Sequence, residues 1–318
     1  MEYEFKDYLR VREIKRSFEK TILLDRDVFG CGITRNQKND LSVTVYAASK
    51  SDNFPTEVDG IPVTVVEEKK ATDSAINGHL RLASLDKIKK KTREAAVKGS
   101  FSTGLFDAAL IGPHDINMVV PEVLGLGIPQ GVVDPHIGMK VKKSGCRSGV
   151  TEGEVVALDV SMFIDCSPMG WGTILFLEQI GTTPMAKRGD SGSITLDNEL
   201  NVVGLLFANI QNLTLHNPIR PLLDILKVGL VTENKVDSVL LEKIIGVRRD
   251  YENGKSRTER WRPVPMGVSV GNVAGGTGTT GCLVRGRVDK DIFILTNAHV
   301  ACPRGYKPPG LNPEPPSF

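Results

Sequence analysis

The sequence predicts a mostly β protein with a small α/β module at its N-terminus. Short apolar runs separated by glycine recur between residue 106 and about residue 230, which is typical of a β-barrel or a β-sandwich. β-type sequence returns after residue 262. Residues 1–70 differ, because they combine one helical repeat with two strand-like runs.

Side-chain spacing predicts the elements of the N-terminal module. Tyr8, Val11, Ile14 and Phe18 recur at three- and four-residue intervals, which predicts a helix over residues 5–20. Two strands are expected after it, joined by a Pro/Gly-containing stretch: residues 41–47 and 61–66. The basic segment 85–98 is predicted to be a helix or a long loop with a solvated surface.

The rest of the chain is predicted to contain short strands, two helices and one linker. The strands are expected at residues 107–111, 139–142, 153–158, 174–177, 202–208, 267–270, 282–288 and 291–296. The helices are expected at residues 218–228 and 236–245, and the charged stretch 248–262 is interpreted as a linker. Six prolines in residues 303–318 exclude a regular element there. The predicted domain boundaries are therefore 1–70, 71–230, 231–262, 263–302 and 303–318.

Composition narrows the class of protein. A chain of 318 residues can form about two domains, and a net charge of +2 argues against a dedicated nucleic-acid binder. The five cysteines are odd in number and show no CxxC spacing, so neither a zinc site nor a disulfide framework is expected. We expect no metal and no cofactor. The acidic N-terminus does not resemble a signal peptide, and no apolar run approaches the ~18 residues of a membrane span, so a cytoplasmic setting without membrane contact is expected.

The stretch 189–193, GDSGS, is typical of a serine nucleophile in a glycine-rich turn. Its glycines allow the backbone N–H groups of Gly189 and Ser191 to point at one spot, where they can stabilise an oxyanion. The alternative interpretation is a glycine-rich hairpin turn without chemistry.

The stretch 296–300, TNAHV, places His299 directly after a buried strand. Taken alone, this residue could be a structural histidine at a strand end. Asp107 opens another apolar run, and a buried carboxylate is costly unless it accepts a hydrogen bond, for which an imidazole N–H is a suitable donor. Together Asp107, Ser191 and His299 form a Ser-His-Asp set in the chain order Asp, Ser, His.

Two other features are interpreted as having no catalytic role. The remaining histidines lie beside turns or prolines or lack a preceding apolar strand; they are His79, His114, His136 and His216. Residues 276–281 match the G-x-G-x-x-G pattern of dinucleotide binding, which requires a helix after it. A strand-like run follows instead, so a glycine-rich loop entering a strand is the preferred interpretation.

On these residues the chain resembles trypsin-like (chymotrypsin-fold) serine peptidases, in particular a bacterial subgroup that carries GDSGS. The similarity covers about residues 70–230 and 259–302 and rests on the segments 106–111, 138–153, 189–208 and 263–299. It implies two six-stranded β-barrels and a polypeptide substrate. It also implies that Ser191 is the nucleophile, His299 the general base and Asp107 its orienter, with Gly189 and Ser191 forming the oxyanion hole.

The resemblance also implies a substrate pocket. Met185, six residues before the nucleophile, would lie at the pocket base, and an apolar base argues against cleavage after Lys or Arg. Phe207, Ala208 and Asn209 would form the pocket wall.

The chain order departs from the family, which runs His, Asp, Ser. Three accounts are open: a circular permutation within one chain, a tandem array cut short, or a homo-oligomer in which chains exchange the segment that carries His299. A non-catalytic binding or scaffolding module with the peptidase fold is the alternative function.

Overall fold

The computed structural model describes most of the chain: residues 2–25, 27–49, 54–68, 100–102, 106–166, 169, 171, 173–232, 237–271 and 276–302. The predictions for residues 85–98 and 303–318 fall outside the described residues. The helices are α1 (Glu2–Ile22), α2 (Ile219–Ile225), α3 (Ser238–Glu252) and α4 (Ala298–Ala301). None of the described helices is both long enough and apolar enough to cross a membrane.

The strands confirm the prediction of a mostly β protein. In chain order they are β1 (Val28–Arg35), β2 (Leu41–Ala47), β3 (Glu57–Val58), β4 (Ile61–Glu67), β5 (Ser100–Ser102), β6 (Asp107–Ile111), β7 (Val119–Val123), β8 (Gly131–Val132), β9 (Lys140–Gly145), β10 (Gly149–Asp165), β11 (Thr173–Thr182), β12 (Ile194–Leu196), β13 (Asn201–Asn209), β14 (Thr214–Pro218), β15 (Val228–Leu230), β16 (Val264–Met266), β17 (Ser269–Gly271), β18 (Thr277–Thr279), β19 (Cys282–Gly286) and β20 (Ile292–Thr296).

Six of these strands pair in a closed ring. The order runs β11, β14, β13, β12, β9 and β10, and β10 then pairs with β11 again. Closure removes the unpaired edges that an open sheet of this length would expose. The interior holds apolar side chains from several strands, including Val155, Ile180 and Val203.

The remaining strands form a more open arrangement. β15, β19, β20, β6 and β5 make a five-stranded sheet, and β16–β7 and β17–β18 form two separate pairs. Where the resemblance implied two six-stranded barrels, strand pairing in the described residues therefore closes one six-stranded ring. A core cluster that includes Leu283, Leu295 and Leu205 connects the open sheet to the ring.

The N-terminal elements extend the ring and do not form a separate sheet. The second half of β10 pairs with β1, with Cys31 opposite Ser161, and the sheet continues through β2 and β4 to β3. The helix packs on this extension through Val11, as its spacing predicted. Lys15 donates to the Ser161 hydroxyl at 2.8 Å and pairs with Glu19, and all three side chains are buried. The sequence predicted residues 1–70 to be a separate module outside the barrels; β1–β4 lie outside the closed ring and continue its sheet through β10.

The stretch interpreted as a linker is a docked element. The Asp237 side chain accepts a hydrogen bond from the backbone N–H of Leu240 and caps α3, which runs on to residue 252. Trp261 is 2% exposed, and Arg257 donates to the Ser144 hydroxyl at 2.6 Å. Residues 248–252 thus belong to α3, and Arg257 and Trp261 pack on the body of the protein.

Candidate active site

Strand register brings His299 to Asp107. β20 runs antiparallel to β6 with Thr296 opposite Ala109 and Leu295 opposite Leu110. Two residues after Thr296 and two residues before Ala109, the Ala298 N–H donates to the Asp107 carboxylate. The single turn of α4 begins there, so the histidine stands beside the carboxylate although 192 residues separate the two in sequence.

Asp107 is 3% exposed, and among the described residues its carboxylate accepts hydrogen bonds only from the segment that carries the histidine. One oxygen accepts from the backbone N–H groups of Ala298, at 2.8 Å, and His299, at 3.2 Å. The other lies 2.5 Å from Nδ1 of His299. A proton on Nδ1 donates to this oxygen and leaves Nε2 free to accept a proton.

Two buried asparagines fix the backbone of Asp107. Nδ2 of Asn297 donates to the Asp107 carbonyl at 2.6 Å, and the Asp107 N–H donates to Oδ1 of Asn217 at 2.5 Å. Asn217 belongs to β14, so this bond joins the open sheet to the closed ring. Sequence reasoning missed both residues, although Asn297 lies within the TNAHV stretch.

Residues 189–193, the predicted nucleophile turn, adopt backbone conformations that suit glycine. Gly189 has φ +104° and Gly192 has φ +96°, both in the left-handed region. A side chain at Gly192 would overlap the Thr279 carbonyl and the Thr296 hydroxyl. In the part of the chain that the structure describes, the N–H groups of Gly189 and Ser191 donate no hydrogen bond. Both donors therefore remain available to an oxyanion.

β18 links the nucleophile turn to β20, the strand that directly precedes the histidine. The Thr279 N–H donates to the Ser191 carbonyl at 2.8 Å, and its hydroxyl donates to the Gly189 carbonyl at 2.9 Å. The same hydroxyl accepts from the Cys146 N–H at 3.0 Å. The Thr279 carbonyl accepts from the Thr296 hydroxyl at 2.8 Å. Thr279, which is fully buried, therefore contacts both segments, and the sequence gave no local signal for it.

A buried ion pair lies directly under the turn. Lys143 and Asp190 are both 0% exposed, and their charged groups lie 3.0 Å apart. Asp190 also accepts from the backbone N–H groups of Arg147, Ser148 and Lys187, at 3.0, 3.1 and 2.8 Å. Because Asp190 precedes Ser191, these bonds fix the position of the turn at the residue next to Ser191.

Burial and pairing together leave the pKa of Asp190 and the pKa of Lys143 below their ordinary values. Burial raises the pKa of a carboxyl group, but the charge of Lys143 and the hydrogen bonds from Ser148 and Lys187 hold the pKa of Asp190 below its ordinary value. Burial lowers the pKa of Lys143, and Asp190 offsets only part of that effect.

The segments that carry Ser191 and His299 meet at Gly278. Among the described residues no hydrogen bond joins the Ser191 hydroxyl to the imidazole. Both segments pack on Gly278, where a Cβ atom would lie 2.7 Å from the Ser191 carbonyl and would overlap Val300. The absence of a side chain at residue 278 thus permits this close packing.

The four predicted pocket residues do not share one cluster. Met185 lies in the core of the closed ring, and Phe207 and Ala208 lie in a second cluster, where the Phe207 ring packs 4.8 Å from Phe176. The Thr214 hydroxyl accepts from the Met185 N–H and donates to Oδ1 of Asn209, so it connects Met185 with Asn209.

The other sequence features occupy structural positions. His216 is buried between the hydroxyls of Thr182 and Thr195, and burial, with a smaller effect of the Lys143 charge, lowers its pKa to about 3. His114 and His136 are exposed, and His79 lies outside the described residues.

The glycine-rich stretch 276–281 leads into β19 and not into a helix. The described residues contain no group of His, Cys, Asp or Glu that could hold a metal ion.

Comparison with known proteins adds little to this geometry. The chain matches no protein-family model and no curated protein. Among solved structures it is similar to Cellulomonas bogoriensis chymotrypsin, with 26% identity, a TM-score of 0.28 and coverage of 32% of this chain and 55% of that one. It is also similar to Thermobifida fusca protease A, with 22% identity, a TM-score of 0.27 and coverage of 39% and 60%. The match thus spans less than two thirds of either structure, and TM-scores this low do not establish a shared fold.

The first prediction concerns the pH dependence contributed by Asp190. Its folded pKa lies below the unfolded value of about 3.9, so its stabilising contribution is present above that value and is lost as pH falls through the folded pKa. Asp190→Asn should therefore lower the free energy of unfolding at pH 7 by about 3–5 kcal/mol and flatten the acid limb. Urea unfolding from pH 2 to 7 measures both effects.

Asp134→Asn is the matched control, because Asp134 forms an exposed ion pair with Arg220. An exposed pair contributes about 0–1 kcal/mol, so this variant should resemble the wild type. Parallel acid limbs for wild type and Asp190→Asn would contradict the prediction.

The second prediction tests Thr279 as a residue that positions the turn. Thr279→Val removes the hydroxyl that holds the Gly189 carbonyl, and it should lower the rate at which Ser191 reacts with a fluorophosphonate by about tenfold, or about 1.4 kcal/mol. Thr280→Val is the control, because the Thr280 hydroxyl is equally buried but bonds the carbonyls of Pro265 and Val268. Both variants should lose similar stability in thermal melts. Equal labelling rates in the two variants would show that Thr279 has a structural role only.

Proposed function

We propose that this protein is a serine endopeptidase with Ser191 as nucleophile, His299 as general base and Asp107 as its orienter. The observation that carries the proposal is the 2.5 Å contact between Nδ1 of His299 and the buried Asp107 carboxylate. A histidine that donates from Nδ1 in this way has Nε2 free to accept a proton. The GDSGS turn then packs on the same short strand as the helix that bears the histidine.

In the first half of the proposed reaction, Nε2 of His299 takes the proton of the Ser191 hydroxyl as Oγ attacks the peptide carbonyl. The developing oxyanion accepts hydrogen bonds from the N–H groups of Gly189 and Ser191, which have no other acceptor in the described residues. Asp107 stabilises the imidazolium without taking its proton. The imidazolium then protonates the leaving amine as the C–N bond breaks, which forms an acyl-enzyme.

In the second half, His299 takes a proton from water, and the hydroxide attacks the ester carbonyl. Collapse of the second tetrahedral intermediate returns the proton to Ser191 and releases the acid. This route uses only side chains and water, so we propose no metal or cofactor. We also propose that an apolar or small side chain precedes the scissile bond, because residue 185 is a methionine and offers no carboxylate to pair with a basic side chain.

The chain order is proposed to result from a circular permutation that closes within one chain. Pairing of β20 with β6 supports this proposal, as does docking of the stretch 248–262 through Arg257 and Trp261. A docked connection holds the histidine segment at high effective concentration beside its own Asp107.

A non-catalytic binding module is the second candidate. One observation favours it: no hydrogen bond joins the Ser191 hydroxyl to His299 in the described residues. Catalytic hydrogen bonds are often long in enzymes without substrate, so this observation does not exclude the peptidase.

A fluorophosphonate probe separates the two candidates, since it reacts only with an activated serine. The wild type should be labelled at Ser191, and Ser191→Ala and His299→Ala should each lose more than about 10³-fold in rate. Ser193→Ala is the control, because this neighbouring hydroxyl is buried and donates to the Asp190 carbonyl. An unlabelled but folded wild type, or a His299→Ala variant that keeps most of its rate, would reject the peptidase.

Mixing two inactive chains tests closure within one chain. Ser191→Ala chains and His299→Ala chains, unfolded and refolded together, should recover no probe labelling, because each chain closes on itself. The wild type should elute as an active monomer in size-exclusion chromatography. Recovery of labelling in an oligomer with one native site would instead establish exchange of the histidine segment.

A further inference from the structure

Three exposed cations surround the nucleophile turn. Lys187 and Arg188 directly precede Gly189, and the side-chain stem of Arg147 lies 3.4 Å from the point that a Cβ atom would occupy at Gly189. Within the described residues none of the three side chains takes part in an ion pair or a hydrogen bond. Their charges therefore face solvent beside the proposed oxyanion hole.

The backbone at two of these cations is fixed to the turn. The N–H groups of Arg147 and Lys187 donate to the two oxygens of Asp190, and the Asp190 N–H donates to the Lys187 carbonyl at 2.9 Å. The backbone of both residues is thus anchored to the residue before Ser191, and Arg188 directly precedes Gly189 in the chain.

The local charge is unbalanced although the whole chain is not. Asp190 is the carboxylate that the described contacts bring to this turn, and the buried Lys143 already neutralises it. Three positive charges remain at the rim of the site, whereas the whole chain carries 40 basic and 38 acidic residues. The rim is therefore a local concentration of positive charge.

We infer that the site selects polypeptides with acidic side chains close to the scissile bond. The inference rests on the proposed function and names the substrate class of that same site. An extended substrate advances about 3.3 Å per residue, so long basic side chains at this turn reach substrate positions within about three residues of the bond that is cut. The positive rim also attracts an acidic chain before contact.

The test uses pairs of fluorogenic peptides that keep an apolar residue directly before the cleaved bond and are identical except for Glu or Gln at one other position within three residues of it. Wild-type kcat/KM should be higher for Glu at one or more positions by about two- to fivefold for each ion pair formed. At about 1 M salt the Debye length falls to about 3 Å, so the ratio should approach one.

Two double variants locate the effect. Lys187→Gln with Arg188→Gln removes one lysine and one arginine at the rim, and Lys38→Gln with Arg260→Gln removes the same charges elsewhere. Lys38 and Arg260 are also exposed, and their side chains form no ion pair or hydrogen bond in the described part of the chain. The Glu/Gln ratio should fall toward one in the rim variant and stay at the wild-type value in the control. Because the readout is a ratio, a general loss of activity or stability does not change it.

The outcomes separate this inference from the proposed function. A wild type that is labelled by the fluorophosphonate but shows equal kcat/KM for Glu and Gln peptides overturns acidic selection and leaves the peptidase intact. Equal Glu/Gln ratios in the rim and control variants overturn the role of these cations. A folded wild type that is not labelled overturns the peptidase, and acidic selection with it.

Discussion

The buried carboxylate of Asp107 is the interaction on which the rest of the site depends. At 3% exposure it has almost no access to water, and an unpaired charge in such a place costs several kcal/mol. The first turn of α4 supplies two backbone N–H groups and one imidazole nitrogen. The carboxylate therefore fixes both the position of the helix and the orientation of the imidazole, and one buried charge is the cause of both.

This constraint extends into the closed ring through main-chain bonds. Asn217 of β14 holds the Asp107 N–H, and Thr279 holds the carbonyls on either side of the nucleophile turn. Each such bond contributes about 0.5–1.5 kcal/mol net, but a buried partner left unsatisfied costs more. The two halves of the site therefore keep a defined relative position although they come from distant parts of the sequence.

Side-chain spacing and short motifs in the sequence predicted those elements that depend on residues close together in the chain. The spacing of Val11 and its neighbours predicted α1, and the GDSGS and TNAHV stretches carry their own turn chemistry. β1 was missed, because Gly30 and Gly32 weaken strand propensity. Gly30 is required by a distant strand, because a side chain at residue 30 would overlap the Ser161 carbonyl of β10. Thr279 and Asn217 were missed for the same reason: the partners of a buried polar group are set by long-range packing.

Burial also explains why charge is balanced inside the site and unbalanced at its rim. Lys143 and Asp190 must pair, because desolvation penalises each of them alone. Arg147, Lys187 and Arg188 are exposed, and water solvates them whether or not they have partners. Stability therefore places little constraint on the charge at these three positions, and pairing them with neighbouring carboxylates would contribute only about 0–1 kcal/mol each. Cations whose backbone is anchored and whose side chains are unpaired are available to a ligand. The same burial that forces Asp190 to pair inside therefore leaves these rim charges available for the substrate selection that we propose.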